Sequence, residues 1–171
     1  MDMLDRLLMH DEWTTAECLR RCRELTPVQM HQEFDIGWRT LHATLVHMID
    51  NVGTWTELMT TGIVTGGPAG WDTGDVAALE AQHRSTYAAF ITLARSVRDE
   101  GRENDRWIDV LDSPPREKTY GGGILHVITH DMHHRSEILH ILARLGLQDL
   151  PEGDLLSWEA SFGRRASVSS G

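Results

Sequence analysis

The sequence predicts an all-α protein, a single four-helix bundle with a short helical element near its C-terminal end. Three observations lead there. Four long segments carry apolar residues at three- and four-residue steps, which puts them on one helix face. Glycine and proline stand between those segments, where helices stop. Only one stretch, Trp107-Ile108-Asp109-Val110-Leu111, reads as extended, and Pro114-Pro115 closes it.

The first helix is expected from Asp2 to about Leu25, with Leu4, Leu8, Thr15, Cys18, Cys22 and Leu25 on one stripe. Thr26-Pro27 then has the form of an N-cap followed by proline at the first helical position, so a short helical turn follows. The second long helix is the clearest. Leu41, Leu45, Met48, Val52, Trp55 and Met59 make an unbroken seam, and Gly62 is a plausible stop. Beside it runs a polar seam of Thr40, Thr44, His47, Asn51 and Thr54, suited to lining a cavity. Ile63 to Thr73 reads as a long connection. The third helix is expected from about Asp75 to Arg98, through Val76, Leu79, His83, Thr86, Phe90, Leu93 and Val97. The fourth follows Gly121-Gly122-Gly123, from Ile124 to Leu145, with apolar residues on more than one side. A helix of that kind is central or faces a partner chain. The expected division is a bundle over residues 1–162 and a flexible tail over residues 163–171.

The 171-residue chain suits one domain. Lys and Arg number 16 against 26 Asp and Glu, a formal charge of −10. That balance argues against nucleic acid or an anionic membrane as partner. No stretch has the roughly 20 apolar residues of a membrane span. Met1-Asp2-Met3-Leu4-Asp5 lacks the basic start of a signal peptide, so a cytoplasmic location is expected. Cys18 and Cys22 read as small core thiols.

The ten histidines are unevenly spread. His126, His130 and His134 follow at four-residue steps, so all three lie near one helix face. An HxxxH pair is a two-toothed clamp for a metal ion. His130 and His134 would be its teeth, with His47 of the polar seam as third ligand. His126 is either a neighbour of the ligands or a replacement for His47. Asp50, one turn after His47, and Arg135 are further candidates for the ion's surroundings. Thr44 and Asn51 are candidates for the pocket. Three imidazoles suit Zn²⁺ or Ni²⁺, and also Fe²⁺, and leave a coordination position open.

Three stretches carry a resemblance to a known family: Leu7-Leu8-Met9-His10-Asp11-Glu12-Trp13, Thr40 to Asp50 with Trp55, and Leu125 to Ile138 with its His130-Asp131-Met132-His133-His134-Arg135 core. In these the chain resembles the DinB-like (YfiT-related) metalloprotein superfamily, over nearly its whole length and in the same order. The resemblance implies metal binding by His47, His130 and His134, an up-down-down-up bundle and a homodimer. It also implies thiol S-transfer to a small electrophile, with a low-molecular-weight thiol as cosubstrate. The chain departs from many relatives in having Val52 where they carry an acidic residue and Ser136 where they carry Gly. The alternatives are a metal-dependent hydrolase and a non-catalytic metal-binding protein associated with stress.

Overall fold

A computed structural model describes residues 1–168, with side chains to Ser161. The chain is mostly helical, and each long helix begins where a side chain can take an orphan backbone N–H. α1 (Met3–Cys22) starts under Asp2, whose carboxylate accepts from Asp5 N at 2.8 Å. α2 (Pro27–Met30) is the expected short turn, closed by reciprocal bonds between Thr26 and Gln29. α3 (Leu41–Thr61) is capped by Thr40 and ends at Gly62, whose φ of 73° is left-handed. α4 (Val76–Asp99) starts under Asp75 and α5 (Tyr120–Arg144) under Thr119. α6 (Leu155–Val168) follows, with Trp158 buried and Arg6 of α1 paired to Glu159.

The stretch that reads as extended holds a strand, and its partner was not foreseen: β1 (Arg106–Asp109) pairs antiparallel with β2 (Arg116–Thr119), in register from Arg106 opposite Thr119 to Asp109 opposite Arg116. Trp107 and Asp109 point inward and Arg106 and Ile108 outward, the alternation of a half-buried strand. The fourth long helix starts at Tyr120, so Gly121-Gly122-Gly123 lies inside it. Close packing explains why glycine stands there. A Cβ on Gly121 would lie 3.0 Å from the Glu103 carbonyl oxygen, and one on Gly123 2.8 Å from Met59 Sδ. Finally, residues 163–168, expected within the tail, continue α6. The remainder of that expected tail, 169–171, lies outside the described residues.

α3 packs against α4 and α5, and α1 packs against the same two helices. Two apolar clusters fill the interior. One holds Cys18, Leu19, Leu41, Leu45, Met48, Leu79, Ile138 and Ile141, and the other Leu8, Val52, Tyr87, Phe90, Val97, Ile124 and Val127. Fully burying one such Leu, Ile or Phe contributes roughly 1.5–3 kcal/mol. Both cysteines are free and fully buried. Burial pushes the Cys18 thiol up to about 12 and the Cys22 thiol up as well. No helix among the described residues is long and apolar enough to cross a membrane.

Candidate metal centre

His47 projects from α3 and His130 and His134 from successive turns of α5. One ring nitrogen from each lies within 4.8 Å of the others. Ring centroids are 5.4 Å apart for His47 and His130, 4.7 Å for His47 and His134, and 4.5 Å for His130 and His134. Spacing alone explains the α5 pair. His47 arrives opposite them because α3, packed on α5, buries its Leu41–Met59 seam and turns its polar seam along the edge of that contact.

The surroundings of His130 and His47 favour their neutral forms. Burial, then the neighbouring His134, His47, His126 and His133, hold His130 down at about 4. Burial and His134 also lower His47. A neutral ring keeps the lone pair that a metal needs. His134 donates from Nδ1 to Glu137 Oε2 at 2.8 Å, which leaves its Nε2 as acceptor. Trp38 stacks on His47 at 4.4 Å and 29°. Trp55 Nε1 donates to Asn51 Oδ1 at 2.9 Å, turning Asn51 Nδ2 toward His130 Nδ1 at 3.3 Å. Three imidazoles, one backed by a carboxylate, are a donor set that fits a divalent first-row ion. His133, His134 and Glu137 form a second group at metal-holding distance, but the short His134–Glu137 bond already occupies two of its donors.

The other sequence candidates fall in different places. His126 is exposed and meets Trp55 edge-on at 4.8 Å. Asp50 is exposed and lines a cavity of about 410 Å³ with Trp38, His47, Trp71 and Asp72. Asn51 touches the site through His130. Thr44 does not face a pocket: it is fully buried, and its hydroxyl donates to the Thr40 carbonyl at 2.8 Å. Arg135 is not beside the imidazoles either. One residue further along α5 it is turned by about 100°, and it enters the interior at 2% exposure.

Arg135 Nη1 there donates to Asp11 Oδ1, and Tyr87 donates its hydroxyl to Asp131 Oδ2. His83 and Thr15 complete this polar layer. On α1, α4 and α5 its residues fall between those of the two apolar clusters. Burial raises Asp131 far above the usual carboxylate range, and the Asp11 charge adds to the effect. These surroundings favour the protonated form of Asp131, while Asp11 faces Arg135.

Sequence reasoning missed Glu137, Trp38 and Gly37. Glu137 had a signal, since three residues after His134 is the same helix face. A Cβ on Gly37 would collide with the Glu137 carboxylate, and Gly37 has a φ of 50°. The loop carrying Trp38 thus sits directly against the carboxylate that holds His134. The DinB family model matches residues 1–159. The chain belongs to the DinB family. The match covers all three histidines, Glu137 and Trp38. No curated protein matches this DinB-family chain.

Proposed function

We propose that this DinB-family protein is a metal-dependent enzyme that transfers a low-molecular-weight thiol to a small electrophile. His47, His130 and His134 are the ligands, with Zn²⁺ or Ni²⁺ as leading ions and Fe²⁺ as a further candidate. The observation that carries the reading is a convergence of three imidazoles, without a fourth protein donor in the group among the described residues, beside an open cavity. A site closed by four protein ligands is structural, whereas three leave room for a reacting molecule.

A divalent ion at these rings supplies Lewis acidity, which favours the thiolate form of a bound thiol or, in the hydrolase alternative, ionisation of water. The chain's own residues do the rest. Glu137 fixes the His134 ring and tautomer, Trp38 covers one face of His47, and the α3–α5 contact sets their spacing. Cys18 and Cys22 are buried in the apolar interior and supply no nucleophile. The thiol must come from solution.

We also read the packing of α1, α3, α4 and α5 as a four-helix bundle in up-down-down-up order, with residues 62–75 as the long connection. The protein is further taken to be a homodimer.

Metal analysis of untagged protein tests the centre. His47→Ala, His130→Ala and His134→Ala are each expected to lose the ion, with the exposed His140→Ala as control. Full occupancy in His130→Ala would overturn the assignment. Conjugation of a generic electrophile with bacillithiol, mycothiol or glutathione tests the reaction. Thiol consumption that needs both metal and His134 supports transfer, and ester or amide turnover without thiol favours hydrolysis.

A further inference from the structure

We propose that the cavity beside His47 takes an organic cation, the quaternary ammonium, amine or guanidinium group of a small molecule, between Trp38, Trp71, Asp50 and Asp72. The inference rests on the metal-centre reading in one respect: a substrate held there lies next to a metal ligand.

The wall of this cavity, about 410 Å³ in volume, combines two indoles with two carboxylates and contains no Lys or Arg. Trp38 comes from the loop before α3. It is 52% exposed, so with one face against His47 it still offers aromatic surface to a ligand. Trp71 comes from a single 3₁₀ turn, Trp71–Thr73, in the connection between α3 and α4. Asp50 lies three residues after His47 on α3 and therefore on its side of the helix.

The carboxylates are the discriminating feature. Elsewhere many of the more accessible acids are engaged: Asp5 by Arg95 and Arg98, Glu80 by Arg23, and Glu57 by the backbone of Thr65 and Gly66. Neither Asp50 nor Asp72 has an ion pair among the described residues. Desolvation, followed by the charges of Asp72 and Glu57, raises the Asp50 carboxyl. Two carboxylates at one rim, with no Lys or Arg in the described lining, favour a positively charged guest and repel an anionic one on the side of the cavity away from His47. Indole faces attract the same guest through the ring quadrupole, Trp most strongly of the aromatic side chains. A purely apolar guest would use the indoles and gain nothing from the acids.

The test uses metal-loaded protein and three probes of nearly equal shape: choline, its uncharged isostere with tert-butyl in place of trimethylammonium, and the matching carboxylate, tert-butylacetate. Binding is followed by tryptophan fluorescence and calorimetry at low ionic strength, with metal content measured on the same samples. Choline is expected to bind about tenfold more tightly than the neutral isostere, with tert-butylacetate weakest. Asp50→Asn and Asp72→Asn are each expected to weaken choline roughly threefold, and added salt to weaken it further. Trp71→Leu should weaken it about fivefold. All three positions are at least partly exposed, so these variants are expected to fold.

Equal binding of the neutral isostere, preference for the anion, or undiminished choline binding in the Asp50→Asn/Asp72→Asn double variant would overturn the proposal. So would the absence of choline binding at millimolar concentration. If that absence accompanies full metal content, the metal-centre reading survives without the cation site. Choline binding by a chain that takes up no metal supports the cavity chemistry and removes the metal centre.

Discussion

Arg135, the residue after His134, donates from Nη1 to Asp11 Oδ1 with the two side chains at 2% and 0% exposure. The helix that supplies two imidazoles is thus tied to α1 from a different face. One turn earlier, next to His130, Asp131 ties it to Tyr87 of α4. Both interior contacts fix the rotation of α5, and with it the aim of the HxxxH pair.

Breaking a buried pair by removing one partner leaves the other without compensation. Asp11→Leu is expected to cost about 3 kcal/mol in urea denaturation, and Asp11→Leu/Arg135→Met to cost less than the single change. A single variant as stable as the parent would show that the pair carries no such weight.

Stability of the metal-free protein is expected to fall with acid in a defined window. His83 is 1% exposed, and burial, then Arg84 and Arg135, hold it at about 4 against an ordinary value of 6.5. Between those values the unfolded chain binds a proton that the folded chain does not. The stability is therefore complete above pH 6.5 and is lost as pH falls toward 4. The slope from this one group reaches at most about 1.4 kcal/mol per pH unit. Denaturation across pH should show a shallower limb in His83→Gln, and an unchanged limb would assign the effect elsewhere.

Glu137 and Gly37 make one unit behind His134. Glu137→Gln keeps the shape but removes the charge that the ring N–H faces. Gly37→Ala places a methyl where the carboxylate stands, at a positive φ. Each is expected to weaken metal binding by about 10–100-fold in chelator competition. An affinity unchanged in Glu137→Gln would mean that the carboxylate does not support the ligand.

Asn51 is oriented by Trp55 so that its amide N–H₂ faces His130 Nδ1, the polarity opposite to that of Glu137 toward His134. With Nδ1 accepting, the neutral ring carries its proton on Nε2. Asn51→Asp would accept from Nδ1 instead and free Nε2. Tighter metal binding in Asn51→Asp, measured by the same competition, is the expected result, and weaker binding would place ligation on Nδ1.

The homodimer should depend on α5, where Leu125 and Met132 are 51% and 52% exposed and two turns apart. Light scattering is expected to give twice the chain mass, and Met132→Glu to shift it toward monomer. A parent protein that is monomeric at micromolar concentration would refute the pairing.

Much of this fold follows from local signals. Leu41, Leu45, Met48 and Val52 are all at 0% exposure, as a seam at helical spacing requires. The same periodicity brought out His47, His130 and His134. Gly121 and Gly123 misled because the usual local role of glycine is a turn, while their role here is close contact with Glu103 and Met59, a tertiary fact. β2 was invisible since Arg116-Glu117-Lys118-Thr119 has no apolar alternation. Asp11 and Arg135 could not be recognised as interior, because charged residues are buried only when a partner from another helix meets them. Trp38 reaches His47 from a loop, where no periodicity reports direction.

The buried state of Cys18 and Cys22 has a consequence for the proposed transfer of a thiol to an electrophile. Such molecules alkylate thiolates wherever they find them. Both side chains here are closed off from solvent and held as thiols. An electrophile in solution therefore reaches neither sulfur while the chain is folded. In the proposed reaction, every sulfhydryl consumed would then be the cosubstrate's.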